Sequence, residues 1–355
     1  MTIKSIKKWA PITLKVVTLV IVAGFILVHK SNKPRVLIVH SYHTDYPWVE
    51  QINEGIRRTL GNRQDVSLRY HYMDLKNHTD SDFKRTAAST VYRTIAKWEP
   101  DVLIISDDVG QQLVGKHYIN SPDMGIVFCG VNGEVDAYGY DGALNVTGIL
   151  ERKPLEAIRE TLMMVAQARG FSPGRIGWPD PRVVFVCDGS ESVTAELPGL
   201  ASYDWAPLSW LPPIRANNFE EWKAAIKEAN LIADLILVSD YRQFLLPSGE
   251  KESVDPTEIM AWTEANSEIP VLGMSLVNVT DGGMMAVFTS GYEQGEVAGS
   301  MALAIASGED PGDYEVQRTR QFLISVRRST MAKRDLPIPS IYESFARATE
   351  NYVEE

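Results

Sequence analysis

The stretches RVLIVHS (35–41), DVLIISD (101–107) and MGIVFCG (124–130) decide the fold. Each is a short, continuous apolar run rich in β-branched residues, and each ends in small or polar residues. Strands buried on both faces read this way, because helices cover both sides of a parallel sheet. Between them lie stretches of helical character at 48–60, 80–98 and 108–116, with the further strand VSLRYHYM at 66–73. Strands that alternate with helices predict βαβ units and a doubly wound α/β layer.

A second series repeats the plan downstream. A helix near 153–169 leads to RVVFVCD (182–188), a helix near 218–231, DLILVSD (234–240), a helix near 256–267 and PVLGMS (270–275). The expectation is two doubly wound parallel-sheet lobes, without a convincing sequence repeat between them. GFSPGRIGWPDP (170–181) reads as a surface connection from its Gly and Pro content. AELPGLASYDWAPLSWLPP (195–213) reads as a turn-rich patch that includes an irregular loop carrying Trp205 and Trp210. GGMMAVFTSG (282–291) and the following YEQGEVAGSMALAIASG suggest one more strand and helix before a last strand. IYESFARATENYVEE (341–355) reads as an acidic helical tail.

The 355 residues suffice for two cores. The first 35 residues hold seven Lys or Arg and no acid, so 28 basic and 46 acidic residues leave the remainder near −18. That charge argues against a nucleic-acid partner, which needs clustered cations over phosphates. Both cysteines, Cys129 and Cys187, end apolar runs, where a thiol packs as a small hydrophobe.

Residues 9–28, WAPITLKVVTLVIVAGFILV, are almost wholly apolar and follow the basic 1–8 segment. Lysines before an apolar run are the charge order of a segment whose N-terminus stays in the cytoplasm. Bulky residues occupy the place where a signal peptidase would need small ones, so an uncleaved transmembrane anchor is favoured over a signal peptide. No cysteine follows to carry a lipid. The expected location is the inner membrane, single-pass, with the main body in the periplasm or outside the cell.

In open parallel sheets, ligands bind beyond the carboxyl ends of the strands. The first strand runs into Ser41-Tyr42-His43-Thr44-Asp45-Tyr46-Pro47-Trp48, a loop dense in hydroxyls and rings that suits a flat or partly apolar ligand. Ser41, Tyr42, His43, Tyr46 and Trp48 are therefore candidate contacts. Asp107, Asn132, Glu151, Asp188, Asp240, Tyr241 and Ser275 stand at later strand ends, where carboxylates can hold an ammonium or sugar hydroxyls. Asp and Ser also cap helices that follow strands, a purely structural use of the same residues. The histidines lack zinc-ligand spacing, and no nucleophile elbow, phosphate loop or dinucleotide fingerprint occurs. No metal, cofactor or catalytic residue is expected.

RVLIVHSYHTDYPWVEQINEGIRRTL, DVLIISDD, VFCGVN, NVTGILE and GYEQGEVAGSMALAIASGEDPGDYEV, in that order, resemble the ABC-transporter substrate-binding proteins related to tryptophan- and tyrosine-binding members. HSYHTDYPW is similar to the version found as the extracytoplasmic sensor part of bacterial signalling proteins. The resemblance spans about residues 35–340. It implies a periplasmic-binding-protein fold of the first type, with chain crossings near 149–153, 274–283 and 308–314. Lobe 1 would then comprise 35–150 plus 276–310, lobe 2 would comprise 151–275 plus 311–340, and Tyr292 would join the site.

The implied function is capture of a small molecule between closing lobes for an ABC importer. The ligand could be an aromatic amino acid, a nucleoside or a sugar, and the partner a membrane permease. One alternative is a ligand-sensing partner of a histidine kinase or cyclase. Another is an anchored hydrolase or isomerase working through carboxylates such as Asp107, Glu151 or Asp240.

Overall fold

The computed structural model describes residues 33–355 apart from 178 and 247–252, together with Thr18. The anchor expected at 9–28 and the basic 1–8 segment lie outside the described residues, Thr18 excepted. Among the described residues no helix is long and apolar enough to cross a membrane.

Lobe 1 is built in chain order from β1 (Arg35–His40), α1 (Pro47–Leu60), β2 (Ser67–Tyr72), α2 (Ser81–Trp98), β3 (Val102–Ser106), α3 (Asp108–Leu113), β4 (Gly125–Val131) and β5 (Val146–Leu150). After a crossing come α4 (Leu155–Ala168), β6 (Arg182–Cys187), α5 (Glu191–Ser202), β7 (Ser209–Trp210), β8 (Ile214–Arg215), α6 (Phe219–Ile232) and β9 (Leu235–Val238). Lobe 2 continues with α7 (Pro256–Asn266), β10 (Val271–Gly273), α8 (Leu276–Thr280) and β11 (Met285–Thr289). The chain returns to lobe 1 for α9 (Gly291–Ala306) and β12 (Gln317–Arg318), then ends in lobe 2 with β13 (Phe322–Arg327), α10 (Arg328–Lys333), α11 (Ser340–Ala348) and β14 (Tyr352–Val353).

The first sheet has the order β12-β5-β4-β3-β1-β2, and the second β14-β13-β11-β10-β9-β6-β7. Alternate residues of each run feed opposite cores. Leu37, Val39, Leu103 and Ile105 share one cluster, whereas Val36, Ile38, Val102 and Ile104 meet Ile52, Ile56, Ala298 and Met301 in another. Val183, Phe185 and Leu237 likewise separate from Val184, Val186 and Ile236. Period-two alternation of side chains makes a continuous apolar run serve two layers. Both cysteines are free and buried.

The lobe boundaries differ from those expected. β11 pairs with β10 and β13, so residues through 289 belong to lobe 2, and the return crossing falls at 290 rather than 274–283. β12 pairs with β5, which moves the last crossing to 319–321 rather than 308–314. β13 runs antiparallel to β11, giving the second sheet a mixed edge. The C-terminal stretch is not a free tail: α11 buries Ala346 in the lobe 2 core, and β14 extends the sheet beside β13. The turn-rich patch read at 195–213 begins as helix, because α5 accommodates Pro198 within its run, and the irregular stretch follows it at 203–208.

Glycine spacing places α9. A Cβ on Gly295 would lie 2.0 Å from the Ile52 carbonyl, and one on Gly55 would lie 2.2 Å from the Tyr292 carbonyl. Only hydrogen fits there, so the backbones of α1 and α9 can touch and the returning helix lies flat on lobe 1.

Candidate functional site

The carboxyl ends of both sheets meet across a cleft. Tyr42, Tyr46, Trp48, Gln51, Lys76, Asp107 and Asn132 line it from lobe 1, and Ser192, Glu196, Ser239, Asp240, Ser275 and Val277 from lobe 2. Glu151 and Lys153 come from the first crossing, and Phe288 and Thr289 from the end of β11, just before the second. The free cavity is about 70 Å³, whereas pockets that enclose drug-sized ligands span roughly 300–1,000 Å³. The lobes therefore stand close together.

Among the described residues, polar and ring contacts bridge them. Lys76 pairs with Asp240, Tyr42 Oη lies 3.3 Å from Ser192 Oγ, Lys84 Nζ donates to Glu191 at 2.7 Å, and the Arg242 guanidinium sits 5.6 Å from the Tyr46 ring centre. Lys76 Nζ also stands 4.9 Å from the Tyr42 ring centre and 5.8 Å from that of Tyr46. Rings at these distances attract a cation through their negative faces.

Asp107 ends β3 with a backbone φ of 66°, a region that L side chains rarely adopt. Such strain costs on the order of 1–3 kcal/mol and persists where neighbours hold it. Here Asp107 donates its N–H to the Cys129 carbonyl at 2.9 Å, while its carboxylate accepts from Trp48 Nε1 and Ser106 Oγ, each at 2.8 Å. Burial pushes its carboxyl up to about 7, helped by the charges of Glu151 and Asp108 and opposed by the two donors. Behind it, His40 bonds Asn53 at 2.9 Å and approaches Ser106 Oγ at 3.3 Å. Burial lowers that imidazole to about 4, which keeps it neutral.

The other carboxylates diverge. Burial raises Glu196 to about 7 against the pull of Lys153, and burial with the Asp240 charge raises Asp188 to about 6. Asp240 is also pushed up by burial, but Lys76 and Arg242 outweigh this and hold it below the usual range. Burial pulls Lys76 down, yet Asp240, the two tyrosines and Asp188 raise it overall. Lys153 is shared between Glu151 at 2.9 Å and Glu196 at 3.5 Å. Asp188 Oδ2 and Glu196 Oε1 are buried without a hydrogen-bond partner.

Of the expected contacts, Tyr42, Tyr46, Trp48, Asp107, Asn132, Glu151, Asp240 and Ser275 stand together at the cleft wall. Asp188 sits just behind, 1 % exposed, accepting from the Ser190 N–H at 2.9 Å. Four residues stand elsewhere. Ser41 is buried and donates to the Ser106 carbonyl at 2.7 Å. His43 turns to Asp74 at 3.4 Å. Tyr241 points into the lobe 2 core, where its hydroxyl donates to Asp281 at 2.7 Å. Tyr292 packs under Arg58 on the α1–α9 face, 5.9 Å from its guanidinium. Strand-end residues alternate in direction, so neighbours of a cleft residue face a core or the outer surface.

Lys76, Lys153 and Glu196 were not anticipated. Lys76 lies four residues beyond β2, and Lys153 three beyond β5, so the strand-end rule reaches both. Glu196 lies on α5, where Pro198 and Gly199 disguise the helix.

The model of the family described as ABC transporter substrate binding protein matches residues 248–347. No curated protein matches the chain. Among solved structures, a conserved domain protein from Vibrio cholerae is 16 % identical with a TM-score of 0.66, over 91 % of this chain and all of that one. A Streptococcus pneumonia ABC domain in complex with L-Trp is 13 % identical with a TM-score of 0.64, over 90 % and 100 %. A ligand-free, open substrate binding protein with adhesive properties from Clostridium difficile is 17 % identical with a TM-score of 0.61, over 90 % and 99 %. The chain thus has the two-lobed periplasmic-binding-protein fold, and the family it resembles is that of the ABC transporter substrate-binding proteins, which bind solutes and catalyse no reaction.

Proposed function

We propose that this protein captures a small molecule between its lobes by hinge closure and hands it to an ABC importer. The observation that carries the reading is the cleft itself. Both sheets direct their carboxyl ends into it, the first chain crossing lines it, and Lys76 and Asp240 meet across it from opposite lobes. Contacts that exist only when the lobes meet favour the closed form by their differential affinity for it. Residues 9–28 support a tether at the inner membrane that holds the lobes near a permease in the periplasm or outside the cell.

The test is a thermal-shift screen of the full chain in detergent against amino acids, nucleosides, sugars, amines and organic acids. A ligand that binds only the folded state raises the melting temperature. A saturable shift lost on replacing Trp48 or Asp240 supports the cleft as the site, and no shift across the panel removes the reading. Sensing for a membrane kinase or cyclase uses the same closure and differs only in the partner; co-purification with a permease rather than a kinase or cyclase separates the two.

A further inference from the structure

Four carboxyl groups, Asp107, Glu151, Glu196 and Asp240, line the cleft with Asp188 just behind, against two ammonium groups, Lys76 and Lys153. Neither lysine is free. Lys153 divides itself between Glu151 and Glu196, and Lys76 is paired with Asp240. The nearby arginines are paired as well, Arg152 with Glu134 at 2.9 Å and Arg242, which also lies over the Tyr46 ring, with Asp281. Among the described residues at the cleft, every cation therefore already has a carboxylate, and a ligand carboxylate would enter a field of surplus negative charge.

The acceptors point the other way. Glu196 lines the cavity, its side chain is 5 % exposed, and its Oε1 has no partner. A buried acceptor left unpaired costs the desolvation it was never repaid, so a donor that reaches it binds strongly. Two tyrosine rings that line the same cavity already cradle one ammonium, that of Lys76.

We propose that the cleft takes a small solute that carries a protonated amine and no carboxylate, with the ammonium donating to Glu196 Oε1. This rests on the solute-binding reading above and narrows its ligand class. Asp107 lines the same cleft and Asp188 lies just behind it, each adding a carboxyl acceptor, and Asp188 Oδ2 is likewise without a partner.

Isothermal titration of the full chain in detergent with tyramine, putrescine, L-tyrosine, hydroxyphenylpropionate and D-arabinose tests it. Tyramine or putrescine should bind at least about tenfold more tightly than L-tyrosine, and Glu196→Gln should weaken that binding by about tenfold, the size of one charged hydrogen bond. Affinity should also fall from about pH 8 to about pH 5.5, as the raised carboxyls take up protons. Binding of L-tyrosine, the acid or the sugar with no binding of either amine overturns the amine class while leaving solute capture standing. Amine binding undiminished in Glu196→Gln overturns the assigned seat. Silence from all five probes overturns the amine class, and only silence in the wider thermal-shift panel as well removes solute capture.

Discussion

The two lobes place the same dipeptide at the same point and give it opposite charge behaviour. DVLIISD ends in Ser106-Asp107 and DLILVSD in Ser239-Asp240, and each run lies beside the first strand of its sheet's long apolar series. At the far end the runs are fastened alike. The Arg35 N–H donates to Asp101 at 2.7 Å, and the Arg182 N–H donates to Asp234 at 2.8 Å. At the cleft end they part. Asp107 finds an indole and a hydroxyl but no cation and rises to about 7, whereas Asp240 finds Lys76 and stays below the usual range. The strand places a carboxyl at the cleft; the neighbour that another segment brings decides whether it carries a charge.

The largest effect should come from Lys76→Met. Removing one partner of a buried ion pair costs about 3–5 kcal/mol, because the other charge stays buried alone, and Lys76 and Asp240 are only 4 % and 12 % exposed in their side chains. Denaturant unfolding should show that loss, small-angle scattering should show a more open particle, and adding Asp240→Asn should recover much of the loss. Full stability in Lys76→Met would erase the contrast between the two aspartates.

Asp107→Asn should act through pH. A carboxyl raised above its unfolded value binds an extra proton in the fold, so its contribution is present below about pH 4 and is lost as pH rises through about 7. The Asp107 contribution should therefore decline over that window by on the order of 4 kcal/mol, and the difference between wild type and variant should show it. Asp240 runs oppositely: its depressed carboxyl stabilises above its unfolded value and loses that contribution as pH falls. Melting curves of Asp107→Asn and Asp240→Asn between those limits should diverge in sign.

Trp48→Phe removes one donor to Asp107 and should cost about 1–2 kcal/mol by denaturant unfolding, with the pH midpoint of the stability curve moving upward. Arg182→Met tests the side-chain pair with Asp234 that lobe 2 adds to this backbone fastening. Its side chain is 48 % exposed, so the loss should stay within about 1 kcal/mol.

Legibility of the site followed distance from the strands. Asp107 and Asp240 could be read because each directly follows an apolar run, and the aromatic loop at 42–48 because it opens from β1. Tyr241 and Tyr292 were legible as polar aromatic residues near the cleft, but their direction was not. Tyr241 is drawn inward by Asp281, forty residues on, and Tyr292 rides on a helix whose approach to α1 is set by glycines in both. Glu196 was hidden because Pro198 resembles a loop signal, while Ser190 caps the helix that carries it by accepting from the Val193 N–H at 3.4 Å.

The two series of parallel-sheet runs and the strand ends that line the cleft were determined by the sequence alone, since burial on both faces demands continuous apolar runs whatever their partners. Only the tertiary structure decided that β11 stays with lobe 2, that α9 returns to lobe 1, and that Lys76 reaches Asp240. Those outcomes depend on which surfaces meet. The charge of a buried carboxyl is set by neighbours within a few ångströms, and here the neighbour lies 164 residues away along the chain.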